Sequence, residues 1–146
     1  MLSLQTFLSG PIPAPVPIGA ALSVSAQPHL LGFAAMGSSF LGLILVMGFA
    51  HCLCDYPLQT DKVALGKCPG SDVVGVPWPY WMAGHCGTHA LAVALITGVP
   101  LLGAAEFVAH FLIDTLKCKK AINLNTDQSL HLICKVIWAI CAGAIA

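Results

Sequence analysis

The chain has 146 residues, 58% hydrophobic and only 8% charged, against about 25% charged in ordinary soluble domains. That balance excludes a water-soluble monomer. Six Lys, no Arg and six acidic residues also exclude the long cationic surface that nucleic-acid binding requires, so no nucleic acid partner is expected. Several apolar stretches approach the ~20 residues that a helix needs to cross a bilayer, which points to one all-α integral membrane domain with the lipid bilayer as its partner.

Residues 1–28 hold Pro11, Pro13, Pro15 and Pro17 and no charged side chain, a composition that favours a Pro-rich extended N-terminal tail. Without a positively charged leader region this segment is expected to be retained, not cleaved. Residues 29–146 read as a four-helix transmembrane domain. Its first helix runs from Leu30 to Ala50 and is ended by His51, Asp55 and the Tyr56-Pro57 break. Residues 60–79, with Asp61, Lys62, Lys67, Pro69-Gly70 and Asp72, read as a polar, turn-rich connection outside the hydrocarbon. Trp78, Tyr80 and Trp81 suit an interfacial aromatic belt opening a second helix that reaches Gly98. A third helix fits Pro100 to Lys117, and Asn125, Thr126 and Asp127 supply cap chemistry for a fourth that runs to Ala146. The seven Cys lie mostly within apolar helices, so they are expected to pack as small hydrophobes with no disulfide framework.

Each helix carries one polar pair spaced four apart: His51/Asp55, His85/His89, His110/Asp114 and Asp127/His131. That spacing puts both side chains on one face, about 6 Å apart along the axis. The first and third pairs close ascending helices and the second and fourth open descending ones, so all four converge on one membrane face. The match of Ala50-His51-x-Leu53-x-Asp55 to Ala109-His110-x-Leu112-x-Asp114 further suggests a duplicated helical hairpin. Ionisable groups inside a membrane cost several kcal/mol unless paired or liganded. These eight residues are therefore expected to bind one or two divalent metal ions, zinc first, with iron or manganese also compatible with imidazole and carboxylate.

Glu106, one turn deeper than His110, is the candidate general base or partner of a ligand. Any single pair is ordinarily an interfacial hydrogen bond; four at one level are harder to dismiss. His29 reads as a helix-start residue, and Cys52, Cys54 and Cys86 point off the ligand face. Gln59, Lys62, Lys117 and Gln128 lie near the same rim, either as interfacial anchors or as contacts for an anionic group. Lys135 either snorkels or pairs with an acid such as Glu106.

Taken together, His51-x3-Asp55-x3-Gln59, His85-x3-His89, His110-x3-Asp114-x2-Lys117 and Asp127-Gln128-x2-His131 resemble the small bacterial and phage membrane proteins of domain of unknown function family 3307, over about residues 40–135. The resemblance implies a membrane fold with a polar centre, in a bacterial inner membrane or in the host membrane if the chain is phage-encoded. A looser similarity, in layout only, is to bacterial membrane-bound metal-dependent hydrolases, although the chain has no His-Glu-x-x-His motif. The Lys-rich connections place the centre near the cytoplasmic face by the positive-inside rule, with both termini non-cytoplasmic. The functional expectation is a membrane-embedded metal-binding protein acting as a metal-dependent hydrolase. The alternatives are a non-enzymatic phage component, namely a holin-like pore or a channel subunit that assembles as a homo-oligomer or through its tail, and a proton-coupled transporter subunit.

Overall fold

Five helices and one short hairpin make up residues 39–145, the part of the chain that this computed structural model describes. The Pro-rich tail of residues 1–28, His29, the expected helix start at Leu30 and the terminal Ala146 lie outside the described residues.

Helix α1 spans Phe40–Asp55 and is capped by Ser39, whose hydroxyl accepts a hydrogen bond from the Gly42 amide at 3.0 Å. It stops where Pro57 forbids another helical turn. The connection expected to be turns alone contains a short helix, α2 (Asp61–Gly66), capped by Thr60. It also holds an antiparallel pair, β1 (Asp72–Val73) and β2 (Val76–Pro77). Val74 and Gly75, with φ of 59° and 70°, make the two-residue turn whose twist suits a hairpin. Gly66 lets α2 lie flat on Trp81, since a Cβ there would stand 2.6 Å from the indole.

Helix α3 (Trp78–Thr97) ends on Gly98 at φ 70°, and α4 (Pro100–Cys118) begins on a proline, which costs nothing in a first turn. Helix α5 (Leu124–Ile145) starts slightly earlier than its expected cap residues. Asn123 is the cap, accepting from the Thr126 amide at 2.9 Å, which leaves Asp127 free to turn inward.

The four long helices form a ring in which α1 and α4 each pack against α3 and α5, so α1 faces α4 across the diagonal. The closest seam is α3/α4, where a Cβ on Gly103 would meet the Ala90 carbonyl oxygen at 2.7 Å. Leu43, Met47, Val93, Leu102, Ala139 and Ala142 close an apolar core at the end remote from the two polar connections. At the other end a disulfide between Cys68 and Cys118 joins those connections. This corrects the expectation that no disulfide forms. The partners are 50 residues apart, and only the bundle brings them together.

The outer surface is apolar on every long helix: Phe49 is 68% exposed, Leu95 and Leu101 74% and Ile140 56%. Among the described residues only α5 is both long and apolar enough to cross a membrane by composition, and α1 is apolar but shorter. Helices α3 and α4 miss that standard because their inward faces hold His85, His89, Glu106, His110 and Asp114. Apart from the one two-stranded hairpin, the described residues form an all-helical architecture.

Candidate metal centre

Four-residue steps along each helix bring one inward side chain per turn into the middle of the ring, and these side chains stack in layers about 6 Å apart. The layer nearest the polar connections contains Asp55, His85, Asp114 and Asp127; the next contains His51, His89, His110 and His131. Each of the eight is no more than 8% exposed. A third layer pairs Glu106 with Lys135 between Met47 and Val93, and the apolar core lies below it. All eight ligands expected from the sequence are therefore brought together.

Asp55 is a hub. Its Oδ1 lies 3.1 Å from His89 Nε2 and 3.3 Å from His85 Nε2, and its Oδ2 is 3.4 Å from His51 Nε2. Donor atoms of a tetrahedral ion with bonds near 2.1 Å sit about 3.4 Å apart, so this spacing would also accommodate a shared cation. Asp114 reaches both ways. Its Oδ2 is 3.4 Å from His85 Nε2 and 3.6 Å from His110 Nε2, while its Oδ1 is 3.8 Å from His131 Nε2. Asp127 Oδ1 completes that side, 3.7 Å from His131 Nε2.

The side chains fall into two groups that share no residue, Asp55/His85/His89/His110 and Asp114/Asp127/His131, within each of which one donor atom per residue lies within 4.8 Å of the others. A third, His51/His110/His131, overlaps both. The imidazoles stack closely, with His110 centroids 3.8 Å from His89 and 4.0 Å from His131.

Hydrogen bonding accounts for only part of this arrangement, such as the 3.1 Å contact of His110 Nε2 with His85 Nε2. Both ring nitrogens of His89 and of His131, Nδ1 of His51, and Oδ1 of Asp55 and of Asp127 are buried without a hydrogen-bond partner. One donor atom from each of these residues lies within 4.8 Å of donor atoms of its neighbours, close enough to share a cation. Such orphans are rare in folded proteins because each costs about 1–3 kcal/mol.

Glu106 is fully buried beneath the imidazoles. One carboxylate oxygen accepts from Lys135 Nζ and lies 3.2 Å from His110 Nδ1; the other accepts from Trp138 Nε1 at 2.6 Å. A proton on His110 Nδ1 leaves its Nε2, 3.1 Å from His85 Nε2, as the lone-pair nitrogen, the arrangement by which carboxylates orient ligating histidines. Of the two expected fates of Lys135, pairing with Glu106 is the one adopted.

Above the carboxylate layer a cavity of about 430 Å³ opens between the two connections, lined by Gln59, Lys67, Lys117, Lys120 and Gln128 among others. Lys62, expected at this rim, is exposed and outside the cavity. Lys67 was not singled out from the sequence, yet it is buried, donating to Asp114 Oδ2 at 2.7 Å and to Gln59 Oε1 at 2.6 Å. The only local signal was its place directly before Cys68. Gln128 donates to Asp55 Oδ2 at 2.8 Å, and its amide oxygen is 3.2 Å from His51 Nε2. Cys52, Cys54 and Cys86 belong to none of the metal-capable groups among the described residues.

The sequence pattern of one family, described as protein of unknown function (DUF3307), matches residues 43–145. The chain belongs to that family. Neither a curated protein nor a solved structure matches it.

Proposed function

We propose that this member of the DUF3307 family is a membrane-embedded four-helix protein whose His/Asp centre holds two divalent ions and acts as a metal-dependent hydrolase. The observation that carries this reading is that buried His and Asp residues offer groups of donor atoms within 4.8 Å of one another, while His51, His89, His131, Asp55 and Asp127 each keep a buried atom without a hydrogen-bond partner.

Charge supports it. The deeply buried ionisable groups are Asp55, Asp114, Asp127, Glu106, Lys67 and Lys135. With neutral imidazoles they leave two negative charges, of which the Lys117 ammonium, 3.8 Å from Asp127, offsets one; the remainder costs several kcal/mol in a low-dielectric interior. One divalent cation more than offsets it, and a second makes the centre strongly cationic. Asp114, near His85 and His110 on one side and His131 on the other, would help to hold the ions of both groups. Nitrogen and oxygen donors without thiolate suit zinc and leave iron or manganese as options. When bound, such an ion supplies a water whose pKa is lowered to about 7 as nucleophile. Glu106 serves this centre as a positioning residue for His110.

The apolar outer faces of all four long helices favour immersion of the whole ring, because exposed apolar area on this scale is incompatible with a free soluble surface. The diagonal arrangement of α1 and α4 agrees with a duplicated hairpin. A pore through one chain is less well supported, since among the described residues the apolar core fills the ring below Glu106. Orientation has two opposed signals. The Lys-rich connections favour the cytoplasm, but Lys67, Lys117 and Lys120 line the cavity, and the Cys68–Cys118 disulfide joins the same connections. We infer that the rim faces an oxidising compartment, since cavity lining gives these lysines another reason to be there and reducing compartments rarely keep a disulfide.

Elemental analysis of detergent-purified protein, prepared without affinity-tag metal, tests the centre. Wild type is expected to retain close to two zinc, iron or manganese ions per chain and His110→Ala to lose at least one. Absence of stoichiometric metal in the wild type would refute the reading.

A further inference from the structure

The residues around the cavity mouth do not belong to the metal-capable groups, and they have their own pattern. Lys67 immediately precedes Cys68, and Lys117 immediately precedes Cys118. The disulfide therefore ties together the two segments that carry these lysines and holds both across the mouth. Lys117 Nζ is buried without a hydrogen bond, and its closest anionic partner is Asp127 Oδ2 at 3.8 Å. A third lysine, Lys120, also lines the cavity, from a backbone position with φ 57°. There the amides of Lys120 and Ala121 bond back to the carbonyls of Lys117 and Leu116, at 2.9 and 3.0 Å, the helix-ending motif that normally takes glycine. A lysine sits where the backbone favours a residue with no side chain.

We propose that this cavity binds a phosphoryl group, with Lys117 and Lys120 as its ligands from the protein and Lys67 supporting it from the cavity wall. The proposal rests on the dinuclear reading, because the carboxylates of the cavity floor repel an anion until metal ions reverse the local charge. Three ammonium groups and a cationic floor call for an oxyanion with more than two acceptor oxygens and more than one charge, which a phosphate has and a carboxylate lacks. Lysine is a strong point-charge partner for phosphate. The phosphoryl group can be carried by a lipid headgroup or by a soluble molecule; both present the same oxygens.

The test is isothermal titration of inorganic phosphate into purified protein whose metal content has been measured on the same sample. Four proteins are compared: wild type, Lys117→Gln, Lys120→Gln and, as control, Lys119→Gln, whose lysine is exposed and outside the cavity. Phosphate affinity should fall about tenfold or more in each cavity variant, the scale of one charge-assisted contact, with metal content unchanged and Lys119→Gln like wild type. Equal affinities in all four at full metal loading would overturn the phosphoryl site while leaving the metal centre standing. Absence of metal from wild type would overturn the dinuclear reading, and titration of the same sample after addition of zinc then decides this site separately: lysine-dependent phosphate binding supports it, none ends it. A parallel arm uses nanodiscs of phosphatidylcholine with or without phosphatidic acid. Competition of phosphatidic acid with inorganic phosphate identifies a lipid source, and competition absent from nanodiscs identifies a soluble one.

Discussion

Replacing Lys135 by Met removes the ammonium that faces Glu106, a carboxylate with no solvent exposure. Trp138 Nε1 at 2.6 Å remains as a donor, together with His110 at 3.2 Å, so the negative charge keeps hydrogen bonds but loses its counter-ion. Breaking a buried pair from one side typically costs about 3–5 kcal/mol, and Glu106→Gln should cost a similar amount by stranding the Lys135 ammonium. In the double variant both charges are gone, and the introduced amide can still accept from Trp138. The double change should therefore cost about 2–3 kcal/mol less than the two single changes added, the upper range for coupled neighbours. That is roughly a hundredfold in the folding constant. Reversible denaturation in mixed micelles, followed by tryptophan fluorescence on all four proteins, measures the coupling. Additive single effects, each below about 1 kcal/mol as for an exposed pair, would refute the claim that Glu106 and Lys135 form one buried unit under the imidazoles.

Two more predictions separate stability from function and fix orientation. Lys120→Gly should stabilise the fold by about 1 kcal/mol by relieving the left-handed backbone at φ 57°, while weakening phosphate binding; thermal unfolding and titration of one sample read both signs, and a loss of stability would show that the lysine side chain holds the turn together. In intact cells, thiols at positions 68 and 118 should resist alkylation until a membrane-impermeant reductant is added; labelling without reductant, or only after the membrane is permeabilised, would place the rim in the cytoplasm.

Much of the centre was legible because spacing by four is a geometric statement: once His51/Asp55 and His110/Asp114 lie on helices, their convergence with His85/His89 and Asp127/His131 follows from alternating direction. Helix ends marked by Pro57, Gly98 and Pro100 were legible for the same local reason. What escaped was set by tertiary contact. The six-residue helix Asp61–Gly66 is too short to show an apolar period and is held by Trp81. The Cys68–Cys118 bridge depends on two connections meeting over the bundle. Lys67 looked like any loop lysine until its segment folded over Asp114. Helices α3 and α4 lack the long apolar stretch of α5 because their inward faces carry polar residues while their outward faces are apolar.

X-ray absorption spectroscopy of the zinc-loaded protein tests the central claim most directly. The account predicts a shell of nitrogen and oxygen donors at about 2.0–2.1 Å with no sulfur at about 2.3 Å, plus a metal–metal scatterer at about 3.5–4 Å. A sulfur shell, or zinc that washes off without a defined coordination sphere, would contradict it.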